Sequence, residues 1–138
     1  MGDKVIVTGG AGVIGQAICR RLVGSGYRPI AADLPDALQA NDFSDGHMDV
    51  VAMDVADRES VQSAVGSVVA DGETLAGLVN CAGILRDSFL GELDEAKLEL
   101  MFQVNIAGMA RVTDVVAPLL GAWTFTLIAV SPGSMSGS

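Results

Sequence analysis

The stretch Thr8-Gly9-Gly10-Ala11-Gly12-Val13-Ile14-Gly15, TGGAGVIG, decides the fold, because it packs four glycines into eight residues directly after the apolar run Val5-Ile6-Val7. A short β-branched run reads as a strand. Beyond the glycines, Ile14, Ala17, Ile18 and Leu22 recur at helical spacing until Gly24-Ser25-Gly26 stops them. The unit is therefore strand, glycine loop, helix.

The same alternation continues along the chain. Arg28 to Ala32 reads as a second strand ending at Asp33, Met48 to Met53 as a third ending at Asp54, and Leu75 to Val79 as a fourth ending at Asn80. Asp57 can cap a helix whose apolar positions Val61, Ala64, Val65, Val68 and Val69 share one face before Asp71-Gly72. Another helix begins near Asp94 and carries Leu98, Met101, Phe102, Asn105, Met109, Val112 and Val116 along one broad stripe. Thr124 to Val130 reads as a fifth strand, and Pro35 to Gly46, rich in turn formers and acidic residues, reads as a surface loop. Strands that are apolar on both faces and alternate with helices predict an α/β fold: a doubly wound parallel sheet of about five strands, order 3-2-1-4-5. No linker or internal repeat divides residues 1–138, so one domain is expected.

Composition narrows the partners. The chain of 138 residues is half hydrophobic, enough for a real core. Seventeen acidic against eight basic residues give a net charge of −9, which opposes nucleic acid and anionic membranes. Val115 to Gly133 is uncharged and apolar, but Pro118, Gly121, Pro132 and Gly133 argue against one membrane-spanning helix. Cys19 and Cys81 stand apart from any CxxC or His pair, so no metal site or disulfide framework is expected, and reduced thiols fit a cytoplasmic setting. Asp3-Lys4 leads straight into the first strand, unlike a secretory signal.

In such a sheet the ligand lies beyond the carboxyl ends of the strands, where Thr8, Asp33, Asp54, Asn80 and Ser131 fall. Gly9 permits the tight turn, Gly12 leaves room for a pyrophosphate against backbone N–H groups, and Gly15 lets the helix lie close to the sheet. Ala11, Val13 and Ile14 complete that loop. An acidic residue closing the second strand is the group that binds adenosine ribose hydroxyls, which assigns Asp33 and its neighbour Leu34 to a dinucleotide. A carboxylate accepts from a free 2′-hydroxyl and repels a 2′-phosphate, and no basic residue lies in the loop, so NAD is expected over NADP. The alternative is that Asp33 merely caps the Leu34-Pro35 turn.

Five ordered segments together resemble the short-chain dehydrogenase/reductase family: TGGAGVIG, ADLP with Asp33, MDV with Asp54 and Val55, VNCAG from Val79 to Gly83, and VNIAG from Val104 to Gly108. Within that resemblance Asp54-Val55 would contact the adenine, and Asn80, Cys81, Ala82 and Gly83 would support the sheet and line a cofactor ribose. Asn105 matches the helix asparagine that holds a water in the family's proton relay; a polar residue tucked into a helix kink is the other reading. Ser134, with Ser131 as rival, matches the catalytic serine. The family implies hydride transfer between nicotinamide and an alcohol or ketone substrate, and homo-oligomeric assembly.

Two departures from the family pattern stand out. The ordinary loop, Thr-Gly-x-x-x-Gly-x-Gly, has glycine where this chain has Val13; the spacing set by Gly12 is that of the extended, epimerase-like subgroup, whereas Asn80 to Gly83 and Asn105 belong to the ordinary one. Val13 is tolerable if it sits in the first helical turn, turned from the phosphates. The second departure is the family's Tyr-x-x-x-Lys, expected on a helix after the fifth strand, which these 138 residues do not include. Tyr27, His47 and Lys4 fall at the opposite edge of the sheet, and Lys97 has no tyrosine four residues before it. The reading is thus the amino-terminal, cofactor-binding part of such a dehydrogenase, ending before the later family strands. A non-catalytic NAD-binding or sensing domain, and a subunit completed by another chain, are the alternatives.

Overall fold

The structure is a computed structural model that describes residues 3–44, 46–84, 91–92, 94–121 and 126–128. Strand β1 (Lys4–Thr8) forms the middle of a parallel sheet, flanked by β2 (Arg28–Asp33) and β4 (Gly77–Asn80). Outside them lie β3 (Asp49–Ala52) against β2 and β5 (Thr126–Ile128) against β4, giving the order β3-β2-β1-β4-β5. This is the expected topology. The order reverses between β1 and β4, so a crevice opens at their carboxyl ends.

Alternation along β1 splits the core in two. Ile6 faces one side with Ile30, Ala32 and Leu78, packed by Val61, Ala64 and Val65 of α3 (Arg58–Val68) and by Val112 and Val116 of α5 (Met109–Val116). Val5 and Val7 face the other side with Ala31 and Val79, covered by α1 (Val13–Gly24) through Cys19. Each fully buried Val, Ile or Leu stabilises the fold by about 1.5–3 kcal/mol, so the two-faced burial is what selects a doubly wound sheet.

Three expectations are corrected. The segment Pro35 to Gly46 is not all loop, because Pro35–Gln39 forms a short helix, α2. Proline at the first helical position has its φ preset and loses no intrahelical bond, and Asp36 suits the positive end of the helix, so the same letters serve turn and helix start alike. The long stripe from Asp94 is also not one regular helix: α4 (Glu95–Phe102) passes into a π-helical segment, Gln103–Gly108, and then into α5. The wider turn rotates the two halves relative to each other, so Val112 and Val116 are buried while Leu98 is 38% and Phe102 51% exposed. The third and fourth strands are shorter than expected, and Leu75 makes an isolated bridge to Leu120 instead. Among the described residues no helix is long and apolar enough to cross a membrane.

Candidate functional site

The glycine loop is shaped by close approach. Gly9 has φ +65°, and a side chain there would lie 2.9 Å from the Cys81–Ala82 backbone. Gly15 in the first turn of α1 sits against Gly9 O, where a Cβ could not fit. Gly12 differs: a Cβ there would meet only Gly9 O, at 3.3 Å, with open space otherwise. Gly9 and Gly15 are thus needed by the fold, while the room at Gly12 faces outward.

Helix α1 begins without a cap. Gly12 at its N-cap offers no side chain and its first turn holds no acidic residue. By contrast, Asp57 caps α3 by accepting from Glu59 N–H, and Asp94 caps α4 by accepting from Ala96 and Lys97 N–H. The free N–H groups and positive dipole end of α1 are left for an external anion, without help from Lys or Arg. Val13 is the first residue of this helix and is 87% exposed. A residue at that position adds no bulk beneath the loop.

Ala11 is pinned at both backbone groups. Its N–H donates to Asp33 Oδ2 at 3.0 Å, and its carbonyl accepts from Gln16 Nε2 at 2.6 Å. Gln16 also donates to Asn41 Oδ1 at 2.9 Å, and Asn41 in turn to Ala37 O of α2. Neither Gln16 nor Asn41 is singled out by the sequence, although a polar side chain one helical turn from Gly12 is a usable signal. Asp33 Oδ1 accepts from Leu34 N–H at 2.8 Å, so the carboxylate caps the turn and braces the loop together. Each oxygen has accepted one N–H and keeps acceptor capacity for a further donor.

Asp33 and Leu34 line an open cleft of about 100 Å³ together with Met53, Asp54, Val55, Ala82, Gly83, Ile84 and Val104. The expected strand-end residues Asp33, Asp54, Val55, Ala82 and Gly83 therefore converge on one space. Asn80 lies beneath it, buried, donating through Nδ2 to Thr113 Oγ1 at 3.1 Å, while its Oδ1 has no partner among the described atoms. Thr8 Oγ1 accepts from both Cys81 and Ala82 N–H at 3.1 Å, which ties the turn after β4 to the end of β1. Cys81 is buried in that turn; burial first, and then the Asp33 charge, push its thiol pKa up.

Asn105 falls inside the π-helical segment and pairs with one backbone residue twice. Its Oδ1 accepts from Ile84 N–H and its Nδ2 donates to Ile84 O, both at 2.8 Å. The helix kink and the loop after β4 are thereby joined as two strands would be. Ser131 and Ser134 lie outside the described residues, as do the ends of the fifth strand expected at Thr124 and Val130. Tyr27 precedes β2, and Lys4 pairs with Glu73 at 2.7 Å, both at the amino edge of the sheet. Among the described residues no group of three His, Cys, Asp or Glu could hold a metal ion.

Comparison with known proteins agrees with this geometry. The family described as short chain dehydrogenase matches residues 3–133. Nodulation protein G of Azospirillum brasilense is 34% identical over 126 residues, 86% of this chain and 51% of that protein. Acetoacetyl-CoA reductase of an Acinetobacter species is 31% identical over 115 residues, 78% of this chain and 46% of that protein. A solved closed form of serine dehydrogenase complexed with NADP+ superposes with a TM-score of 0.74 at 26% identity, covering 83% of this chain and 48% of that one. The chain spans about half the length of the curated relatives it matches. With the family match running over nearly all of the sequence, the chain belongs to the short chain dehydrogenase family.

Proposed function

We propose that residues 1–138 are the dinucleotide-binding domain of an NAD(H)-dependent oxidoreductase that moves a hydride between nicotinamide and an alcohol or carbonyl carbon. The observation that carries the cofactor choice is the Asp33 carboxylate, fixed by Ala11 and Leu34 N–H groups at the rim of the cleft. Its remaining lone pairs suit the two hydroxyls of an adenosine ribose, and its charge repels a 2′-phosphate. No Lys or Arg occurs from Thr8 to Ala17 or from Ala31 to His47 to offset that repulsion. The NADP+ in the serine dehydrogenase structure belongs to that protein; the residues here favour the unphosphorylated cofactor.

The residues present fit such a group. The space at Gly12 and the uncapped start of α1, Val13 and Ile14 included, suit the pyrophosphate. Asp54 and Val55 offer a carboxylate and a backbone N–H to the adenine edge, and Asn80, Ala82 and Gly83 shape the floor toward the second ribose. When bound, the nicotinamide supplies the hydride donor or acceptor. Asn105 is assigned a positioning role: its amide is occupied at both ends by Ile84, which leaves the main chain of the π-helical segment to meet a relay water. Ser134, or Ser131 beside it, is the proposed catalytic serine.

Leu98, Leu100, Phe102 and Ile106, all exposed along α4 and the π-helical segment, support the accompanying reading of a homo-oligomer; a cytoplasmic setting and small alcohol or ketone substrates belong to the same proposal through the family. Fluorescence titration with NADH and NADPH tests the central reading. NADH should bind at least about tenfold more tightly, the difference one charged hydrogen bond makes. Equal or tighter binding of NADPH overturns the cofactor choice, and binding of neither overturns the function.

A further inference from the structure

The Asp54-Val55 loop is a β-turn whose soft point is held by a distant side chain. Asp57 N–H donates to Asp54 O at 3.0 Å and closes the turn from Asp54 to Asp57. In a turn so closed the outer peptides are fixed, and the central one, Val55 to Ala56, is the plane that differs between turn types I and II. Both ends of that plane are occupied here. Ala56 N–H donates to Asp54 Oδ1 at 2.9 Å, and Val55 O accepts from Arg111 Nη1 at 2.6 Å, across 56 positions of sequence.

Arg111 is half-buried in the first turn of α5, and its Nη2 donates to Gln103 Oε1 at 3.4 Å. The fork of the guanidinium thus spans from the π-helical segment to the turn, with a charge-assisted bond at the carbonyl. Gly108 closes on the same residue, since a Cβ there would lie 2.8 Å from Val55 Cγ2. Losing the Arg111 bond would free the central peptide to rotate, and with it the Ala56 N–H that orients the Asp54 carboxylate.

We propose that Arg111 is a positioning residue for adenine recognition: it locks the Asp54–Asp57 turn so that the Asp54 carboxylate and Val55 N–H face the cleft together. The inference rests on the reading of that cleft as a dinucleotide site. Adenine carries an amino group that a carboxylate can accept from, whereas hypoxanthine presents a carbonyl in the same place, so a correctly set Asp54 should distinguish the two bases.

The test titrates the full chain, as wild type, Arg111→Met and Arg111→Lys, with NADH and with its hypoxanthine analogue, and follows thermal unfolding alongside. Wild type should bind NADH several-fold more tightly than the analogue. Arg111→Met should weaken NADH binding by about the same several-fold factor, with little change for the analogue, so that the preference collapses toward one. Arg111→Lys, which keeps one donor, should restore part of it. Unchanged NADH affinity and base preference in Arg111→Met overturns the proposal while leaving the cofactor reading intact; failure of wild type to bind either dinucleotide overturns the cofactor reading and this one with it. If Arg111→Met does not fold, Arg111→Lys decides, its wild-type preference counting against the proposal.

Discussion

Ala11 N–H donates to Asp33 Oδ2 at 3.0 Å, joining the glycine loop to the end of the second strand through one carboxylate. The same group is the one assigned to the ribose, so loop position and cofactor choice are coupled. Asp33→Asn replaces one acceptor by a donor that faces the N–H of either Ala11 or Leu34, and removes the charge that opposes a 2′-phosphate. Hydrogen bonds to a charged group contribute about 1.5–3 kcal/mol each. NADH affinity should therefore fall by about tenfold or more, while NADPH affinity holds or rises, and paired titrations of the two cofactors measure the ratio. A variant that keeps the NADH preference would separate Asp33 from cofactor choice.

The glycines of the loop should divide into two classes on substitution. Gly15→Ala places a Cβ against Gly9 O and Gly9→Ala puts one 2.9 Å from the Cys81–Ala82 backbone at φ +65°, so both should destabilise the fold by at least about 1–3 kcal/mol. Gly12→Ala meets only Gly9 O at 3.3 Å and should leave the melting temperature within a few degrees. Its cost should appear in NADH binding, because the added methyl occupies the space left for the pyrophosphate. Comparing melting temperature with affinity across the three variants checks the division.

The strand ends are legible in the sequence because each apolar run stops at or just before a polar residue: Thr8, Asp33 and Asn80 close β1, β2 and β4, and Asp54 follows two residues after β3. Local chemistry encodes them. The π-helical segment is not legible, since Met101, Asn105 and Met109 keep four-residue spacing across it and only the swing from exposed Phe102 to buried Val112 betrays the extra width. Pro35 misleads for a different reason, as its fixed φ serves a turn and a helix start equally. Arg111, Gln16 and Thr8 act on main-chain atoms of Val55, Ala11 and the Cys81–Ala82 turn. A backbone carbonyl or N–H has no letter in the sequence, so contacts of this kind emerge only once the chain is folded.

Asn105 should matter for stability before it matters for chemistry. Its two 2.8 Å bonds to Ile84 hold the loop after β4 against the π-helical segment. At about 1 kcal/mol for each bond lost, with more if the Ile84 groups stay buried and unpaired, Asn105→Ala should be destabilised by about 2–3 kcal/mol. Denaturant unfolding measures this directly. Asn105→Leu, similar in size but with neither donor nor acceptor, should be no better; wild-type stability in that variant would show that packing, and not the paired hydrogen bonds, secures the loop.

Cys19 and Cys81 should behave as buried packing groups with a measurable alkaline signature. Burial, and next the neighbouring Cys81, raise the Cys19 pKa from 9.0 to about 11, against a small opposing pull from Arg20. The thiolate is the nucleophile, so at about pH 8 both thiols should react with an aromatic disulfide reagent far more slowly in the folded chain than in denaturant. A raised folded-state pKa means that the folded chain holds its proton more tightly than the unfolded one does. The corresponding stability is complete below the unfolded value near 9.0 and is lost as pH climbs toward about 11. Melting temperature should fall over that window in the wild type and fall less in Cys19→Ala. Fast labelling of the native chain at neutral pH, or identical alkaline profiles for the two proteins, would place Cys19 outside the closed layer between α1 and the sheet.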